Sequence, residues 1–425
     1  MSEPLPKPSS PSFDALKAKS QSTQPPPSVV EALISPAEQV ITTTSPSATP
    51  SGPTNSVAPQ PVIKPSLLAR FQHLLHVPWF YAVIVLVLVS SGLASWAVYQ
   101  ANHKVKPVVV VVPRKVIVVP KPEPPKTVAD PLTGLQVDPA AAQQPVAGVM
   151  IENLDPDARP QSGLSQAGIV YEALAEGGIT RFLALFQEPF PATIGPVRSL
   201  RPYYLDWGLE YNAPVAHAGG SEPALAQVGP SGLKNIDALV YDGSYFYRAT
   251  DRYAPHNLYT NNDLLTNIVA KLGFATAPSF TPIARKADSA EATPTHPKIN
   301  ISFSTSSYAV EYDYVAATNS YARFLAAKPH IDRNTGQQIL VKNVVVEYVP
   351  ASYSTQQDGK PETDLGIIGQ GKALIFTDGG VTAATWSKAS IAAPTQLLDA
   401  AGQPIKLNAG NTWVSVIPTI NLVTY

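Results

Sequence analysis

The chain has 425 residues, of which 30 are basic and 31 acidic; only 14% are charged, 44 are proline and none is cysteine. Near-zero net charge removes the bulk electrostatic case for a nucleic-acid partner. The lack of cysteine suits an oxidising or redox-indifferent compartment and withdraws thiolates from any metal site.

Fourteen of the prolines fall within the first 65 residues, among Ser, Thr and Gln with few large apolar groups. Such a segment buries too little surface to offset its conformational entropy, so residues 1–77 are expected to be a disordered cytoplasmic tail. The run Pro25-Pro26-Pro27 has the composition of a ligand for proline-reading domains, although a flexible tail is the commoner outcome.

Residues 78–100 read as a transmembrane helix. The 21 residues from Trp79 to Tyr99 carry no charge, and at about 1.5 Å per residue they span a hydrocarbon core of roughly 30 Å. Trp79, Tyr81, Trp96 and Tyr99 cluster at the two ends, where amphipathic rings favour the headgroup zone. The stretch is too long and too far along the chain for a signal peptide, so an uncleaved single-pass anchor is expected. Lys64 and Arg70 precede it, and Lys104, Lys106, Arg114 and Lys115 follow it. By the positive-inside rule those charges favour a cytoplasmic C-terminal part, in conflict with the resemblance described below.

Residues 101–143 read as a spacer. Its Pro- and Val-rich core, Lys104 to Lys126, favours extended backbone, because proline fixes φ and β-branched residues resist helix. Near-extended at about 3.1 Å per residue, it reaches on the order of 70 Å.

Two globular segments follow, 144–282 and 299–425, joined by a linker at 283–298. That linker lies in the polar, proline-bearing stretch from Ala275 to Lys298. In the first segment, Val146 to Ile151 reads as a buried strand. Ile169–Leu174 and Ile179–Phe186 flank Glu176-Gly177-Gly178 as a hairpin. Ser199 is placed to cap a helix with Pro202 in its first turn and Leu205 and Leu209 on one face. The run PVAHAGGSEPALAQV reads as strand, glycine loop and helix, with Ser221 as N-cap; Asn261 to Gly273 is a further helix closed by Gly273. The second segment is mostly strand, in VEYDY, YARFL, NVVVEYV, ALIFT and TWVSVI, with turns at Asp378-Gly379-Gly380, Ala401-Gly402 and Gly410-Asn411. The expected fold class is therefore mixed α+β, an α/β domain followed by a small β-rich one.

Chemistry-bearing residues concentrate between Glu152 and Asn257. From Gln144 to Leu258 there are six arginines (Arg159, Arg181, Arg198, Arg201, Arg248, Arg252) and one lysine, Lys234. The planar arginine fork matches carboxylate and phosphate oxygens, which points to anion recognition or internal ion pairs. With twelve acidic residues in the same span, structural pairing accounts for at least half of these arginines. Arg198 and Arg201 sit near one helix start, where unpaired amides and the dipole favour anions, and the glycine loop at Ser221 offers another, with His217 at the strand end. The loop fits neither a nucleophile elbow, since Pro223 stands where the last glycine belongs, nor a P-loop. His217 and His256 lack zinc-motif spacing, so no metal and no cofactor are expected. Either histidine remains open as an acid or base with Glu152, Glu172 or Glu176.

The runs VMIENLDPDARPQSGLSQAGIVYEALAEGGITRFLALF, IGPVRSLRPYYLDWGLEYNAPVAHAGGS and RYAPHNLYT closely resemble the N-terminal module of the YerB-like family of bacterial surface proteins, also called DUF3048. In the second segment YARFLAAKPHIDRNTGQQILVKNVVVEYV, GKALIFTDGGVTAATWSK and IKLNAGNTWVSVIP resemble its C-terminal module. The resemblance covers roughly Val146 to Pro418. It implies a lipoprotein-like location on the outer face of the cytoplasmic membrane, so the C-terminal part is expected to be extracytoplasmic. Without cysteine this chain has no lipobox, and the Trp79–Tyr99 helix stands where the lipid would be. The resemblance implies no reaction.

The expected function is thus a membrane-anchored envelope protein that binds an anionic ligand, a wall polymer or a partner protein, through Arg159, Arg181, Arg198, Arg201, His217, Ser221, Arg252, His256 and Asn257. Two other classes are a cell-wall hydrolase or transferase using His217 or His256 with Glu176, and a structural or regulatory partner of wall enzymes.

Overall fold

The computed structural model describes residues 78–103, 126–356 and 359–425. The expected tail and residues 104–125 of the spacer lie outside the described residues. Helix α1, Pro78–Asn102, is 25 residues long. Its stretch from Tyr81 to Asn102 is long and apolar enough to cross a membrane, and none of it is buried within the protein. Apolar side chains cover every side of it, so no single face serves as a core stripe, a pattern suited to apolar surroundings. The two serines in mid-helix donate to carbonyls one turn back, Ser90 Oγ to Val87 at 3.0 Å and Ser91 Oγ to Leu88 at 2.9 Å, which hides their hydroxyls from such surroundings.

The rest of the chain is a separate body with a ten-stranded mixed sheet at its centre. Its first-segment strands are β1 (Val146–Glu152), β2 (Ile169–Leu174), β3 (Thr180–Gln187), β4 (Val215–His217) and β5 (Asn235–Asp237). The next strands are β6 (Lys298–Ser302), β7 (Ala309–Val315), β8 (Ser320–Leu325), β9 (Lys328–Pro329) and β10 (Leu340–Val341). After them come β11 (Asn343–Val349), β12 (Ala351–Thr355), β13 (Pro361–Leu365), β14 (Gly369–Thr377) and β15 (Gly380–Lys388). The last are β16 (Gln396–Leu398), β17 (Thr412–Pro418) and β18 (Val423–Thr424). The central sheet runs β16-β15-β14-β11-β17-β2-β3-β1-β4-β5, a second sheet runs β9-β8-β7-β6-β18 with β10 also on β8, and β12 and β13 form a separate ribbon.

Strands β1 and β2 are buried at every position, as expected of a sheet covered on both faces. Alternate residues separate cleanly. Val149 and Ile151 join a core with Ile299, Ile301, Val310 and Tyr312 of the second sheet, and with Leu265, Ile268 and Val269. Met150 joins the opposite core with Tyr203, Tyr204 and Trp207. Three helices complete the body: α2 (Pro202–Glu210) and α3 (Glu222–Ser231) contribute to the second core, and α4 (Asn262–Lys271) to the first.

The hairpin between β2 and β3 forms as expected, with Leu174 opposite Thr180. Gly177 (φ 59°) and Gly178 (φ 79°) take the left-handed turn that a side chain would resist. Gly273 closes α4 at φ 72°, and Asn261 caps its start by accepting from the Leu264 amide at 2.9 Å.

Four expectations need correction. Ser199 does not cap α2; the N-cap is Arg201, and Ser199 instead offers its carbonyl to Arg181 at 2.9 Å. The globular body begins before residue 144, because Val128–Ala129 pairs with Gln136–Val137 and Leu132 is 1% exposed within the core. The 283–298 linker carries a strand of its own, Arg285–Lys286, parallel to Leu407–Asn408. Most consequentially, the two segments are not independent bodies. Strand β17 lies parallel to β2 on one side, Thr412 opposite Ile169, and to β11 on the other. A polar stretch of chain marks where one segment ends, but the buried strand edges of both can be satisfied only by one another.

Candidate functional site

Strand ends position the site. Glu152 ends β1 directly opposite Arg181 on β3. The stretch after β1's edge, Arg198 to Leu200, ties to the glycine loop: Ala218 N donates to Arg198 O at 3.0 Å, Leu200 N to Gly219 O at 2.9 Å and Ser221 N to Leu200 O at 3.1 Å. Gly220 is closely packed here, since a Cβ would stand 3.2 Å from the Leu200 carbonyl and 3.1 Å from Leu225. Tyr203 and Tyr204 then anchor α2 by their hydroxyls, Tyr203 to the Leu174 carbonyl and Tyr204 2.5 Å from that of Arg181. The start of α2, and Arg201 with it, is thereby fixed over the β2–β3 hairpin.

A cavity of about 650 Å³ opens at this junction, lined by Glu176, Arg198, Ser199, Arg201, Gly220, Ser221, Glu222, Leu225, Ala226, Gln356, Lys360 and Pro361. Glu176 is its electrostatic centre. One of its oxygens takes Arg181 at 2.6 Å, and the other takes Arg201. Burial pushes the Glu176 carboxyl up, but the Arg181 and Arg201 guanidiniums overcome this and hold it at about 2. Arg201 spends a second nitrogen on the Leu200 carbonyl at 2.8 Å. Its Nε and the Ser221 hydroxyl have no partner, although Arg201 is 5% exposed and Ser221 3%. Ser221 is the N-cap of α3 by position, yet its side chain makes no capping bond. Buried donors of this kind are rare in folded proteins and call for an explanation.

Arg198 lies 3.0 Å from Glu152, with its Nε too bent for a hydrogen bond. Glu152 also faces His256 Nδ1 at 3.0 Å. The structure therefore brings together Glu176, Arg198, Arg201 and Ser221, with Arg181 behind them. It does not bring in the others. His217 is wholly buried, its Nδ1 on the Gly219 carbonyl at 2.8 Å and its Nε2 2.5 Å from the Asn235 side chain, which makes it a brace for the glycine loop. Arg252 donates to the carbonyls of Ala158 at 2.8 Å and Pro160 at 2.7 Å. Asn257 donates to the Ala249 carbonyl at 3.0 Å. Arg159 serves Asn153 Oδ1 at 2.9 Å and the Ser307 carbonyl at 2.8 Å, beside a different cavity of about 640 Å³. Among the described residues no hydrogen bond joins either histidine to Glu176, and a carboxyl held near 2 keeps no proton to donate at neutral pH.

A second ionic cluster lies in the interior and escaped the sequence reading. Arg323 meets Glu172 at 2.7 Å with neither side chain exposed. Thr180 Oγ1 donates to the other Glu172 oxygen at 2.9 Å, and Trp413 Nε1 adds a contact at 3.2 Å. Arg323 Nε donates to His330 Nδ1 at 3.0 Å, and His330 Nε2 reaches Gln161 Oε1 at 2.9 Å. Burial, with Arg323 and Arg159 nearby, pushes His330 far down, so it stays neutral. This cluster spans both segments. Gln356, Lys360 and Pro361 were missed for a related reason: they arrive at the cavity from the β12–β13 ribbon, far along the chain.

Two family models match the chain, "Protein of unknown function (DUF3048) N-terminal domain" over residues 132–275 and its C-terminal counterpart over 299–414. The "Putative lipoprotein YerB" of Bacillus subtilis (strain 168) is 32% identical over 303 residues, 71% of this chain and 89% of the relative. This chain belongs to the DUF3048 family. The crystal structure of the YerB protein from Bacillus subtilis superposes with a TM-score of 0.63 at 31% identity, covering 71% of this chain and all of that one. The N-terminal model begins at Leu132, within the stretch expected to be spacer, and agrees with the buried place of that residue. The cavity takes residues from both DUF3048 modules, Arg198 to Ala226 from the first and Gln356 to Pro361 from the second.

Proposed function

We propose that this DUF3048 protein is a single-pass, membrane-anchored envelope protein whose globular body faces the extracytoplasmic side and captures an anionic group, on a wall polymer or a partner protein, in the Glu176–Arg201–Ser221 cavity. The observation that carries the binding role is the pair of buried, unpartnered donors, Arg201 Nε and Ser221 Oγ, on one cavity wall. Two guanidiniums share the single Glu176 carboxylate, which leaves one positive charge uncompensated in a half-enclosed place where it acts strongly. The start of α3 adds its dipole. For the location, support comes from α1 and from a relative named as a lipoprotein. A helix would do the work of a lipid anchor in a chain without cysteine.

Equilibrium dialysis of labelled acetate and phosphate against the detergent-solubilised full chain tests the binding role. Uptake that vanishes in Arg201→Gln supports it, and equal uptake by both proteins removes it. Protease added to wall-stripped intact cells tests the location. Digestion of the body with the N-terminal tail spared is expected, and protection of the body until lysis would reverse the orientation.

A further inference from the structure

Building on that anion-binding reading, we infer that the group held is the terminal carboxylate of a peptide chain, not the phosphates of a polymer or an acidic sugar. Charge comes first. Arg181 and Arg201 oppose Glu176, Arg198 opposes Glu152, and Lys360 and Glu222 contribute one charge of each sign. Among the described residues the surplus is a single positive charge, which matches a monoanion. A phosphodiester chain is held by a run of uncompensated cations along an open track, and no such run lines the cavity among the described residues.

Donor geometry agrees. Of the buried cavity-lining donors without a hydrogen-bond partner, Arg198 Nε lies against Glu152, whereas Arg201 Nε and Ser221 Oγ face no charge of their own, and a carboxylate has two oxygens to give that pair. The terminal nitrogens of Arg201 are committed to the Leu200 carbonyl and Glu176, so this arginine offers a ligand its Nε alone. Terminal carboxylates are commonly captured where backbone turns and a helix start converge.

The remaining lining identifies what the carboxylate is attached to. Leu225, 45% exposed, stands beside Ala226 and Pro361, and no aromatic ring lines the cavity among the described residues. Sugars are usually held by stacking on aromatic faces, whereas an aliphatic wall suits a small or branched side chain. At about 650 Å³ the cavity also has room beyond the carboxylate for the last few residues of a chain. Gln356 is already engaged on both sides of its amide, its Oε1 accepting from the Glu222 amide at 3.3 Å and its Nε2 donating to Glu362 Oε2.

The test uses the full chain in detergent micelles and a pool of fluorescein-labelled pentapeptides ending in Ala, Val or Leu, each made as free acid and as C-terminal amide. Anisotropy should show the acids binding at least tenfold more tightly than the amides. Arg201→Gln should remove that preference without weakening the amides further. Equal binding of acids and amides overturns the inference. So does Arg201-dependent binding of poly(glycerol phosphate) with no binding of the peptides, which would leave the broader anion reading standing. Failure of peptides, phosphate polymer, acetate and phosphate alike would overturn both.

Discussion

Two arginine–glutamate clusters among the described residues, one around Glu172 and one around Glu176, have opposite character. Around Glu172 and Arg323 the two charges are fully buried, 2.7 Å apart, and the carboxylate is further served by Thr180 and Trp413. Around Glu176 and Arg201 the carboxylate is likewise paired twice, yet Arg201 Nε and Ser221 Oγ are left over and a cavity adjoins them. Pairing alone therefore does not separate a structural arginine from a binding one. What separates them is whether the donors are used up, and whether anything outside the protein can reach those that are not.

The largest effect is expected in the closed cluster. Arg323→Ala strands Glu172 in the interior, and such an unpaired buried charge costs about 3–5 kcal/mol. Urea unfolding followed by tryptophan fluorescence should show a loss of that size. Replacing both partners together, Arg323→Met with Glu172→Met, should cost much less. A small effect of Arg323→Ala alone would mean the cluster is not as closed as its geometry implies.

Next comes acid. Glu176 is held at about 2 in the folded protein, against about 4.3 in an unfolded chain. Its folded value is depressed, so its contribution is fully present above about pH 4.5 and is lost as the pH falls towards 2, at most about 3 kcal/mol. Glu176→Gln should flatten that part of the stability–pH curve. An unchanged acid limb in this variant would show that Glu176 is not the titrating partner of Arg181 and Arg201.

The smallest effect on folding is expected at Ser221. An N-cap serine replaced by alanine ordinarily costs about 1 kcal/mol, but this hydroxyl makes no capping bond. Ser221→Ala should therefore leave the melting temperature nearly unchanged and weaken anion binding severalfold. A stability loss of the ordinary size would mean the hydroxyl does cap α3.

Much of this was legible from residue order. The apolar run to Tyr99, the Gly177-Gly178 hairpin and the Ser221 and Asn261 helix starts are local properties, fixed by chain length, φ and hydrogen-bond supply. Arg198, Arg201 and Ser221 group together, with His217, for the same reason, because helix starts and turns announce themselves; Glu176 reads only as an acid–base partner for a histidine. The most consequential failures are non-local. Nothing around Thr412 says that its strand will lie beside Ile169, so two segments of ordinary size read as two bodies. Arg323 sits in an alternating strand where a charge reads as surface, and only its burial opposite Glu172 shows otherwise. His217 was drawn towards the ligand by its place at a strand end; Asn235, from the neighbouring strand, occupies it instead.

The most direct measurement is the anion-induced rise in melting temperature of the full chain, taken in acetate at constant ionic strength with chloride as the reference, for the natural protein and for Arg201→Gln. Because Glu176 keeps Arg181 at 2.6 Å, the variant should fold. Saturation at a hundredfold excess over the dissociation constant adds about 2.7 kcal/mol to a protein that binds. The account predicts a rise of a few degrees in the natural chain and none in Arg201→Gln. A variant that melts much earlier yet responds to acetate as the natural protein does would make Arg201 a structural ion pair and contradict the account.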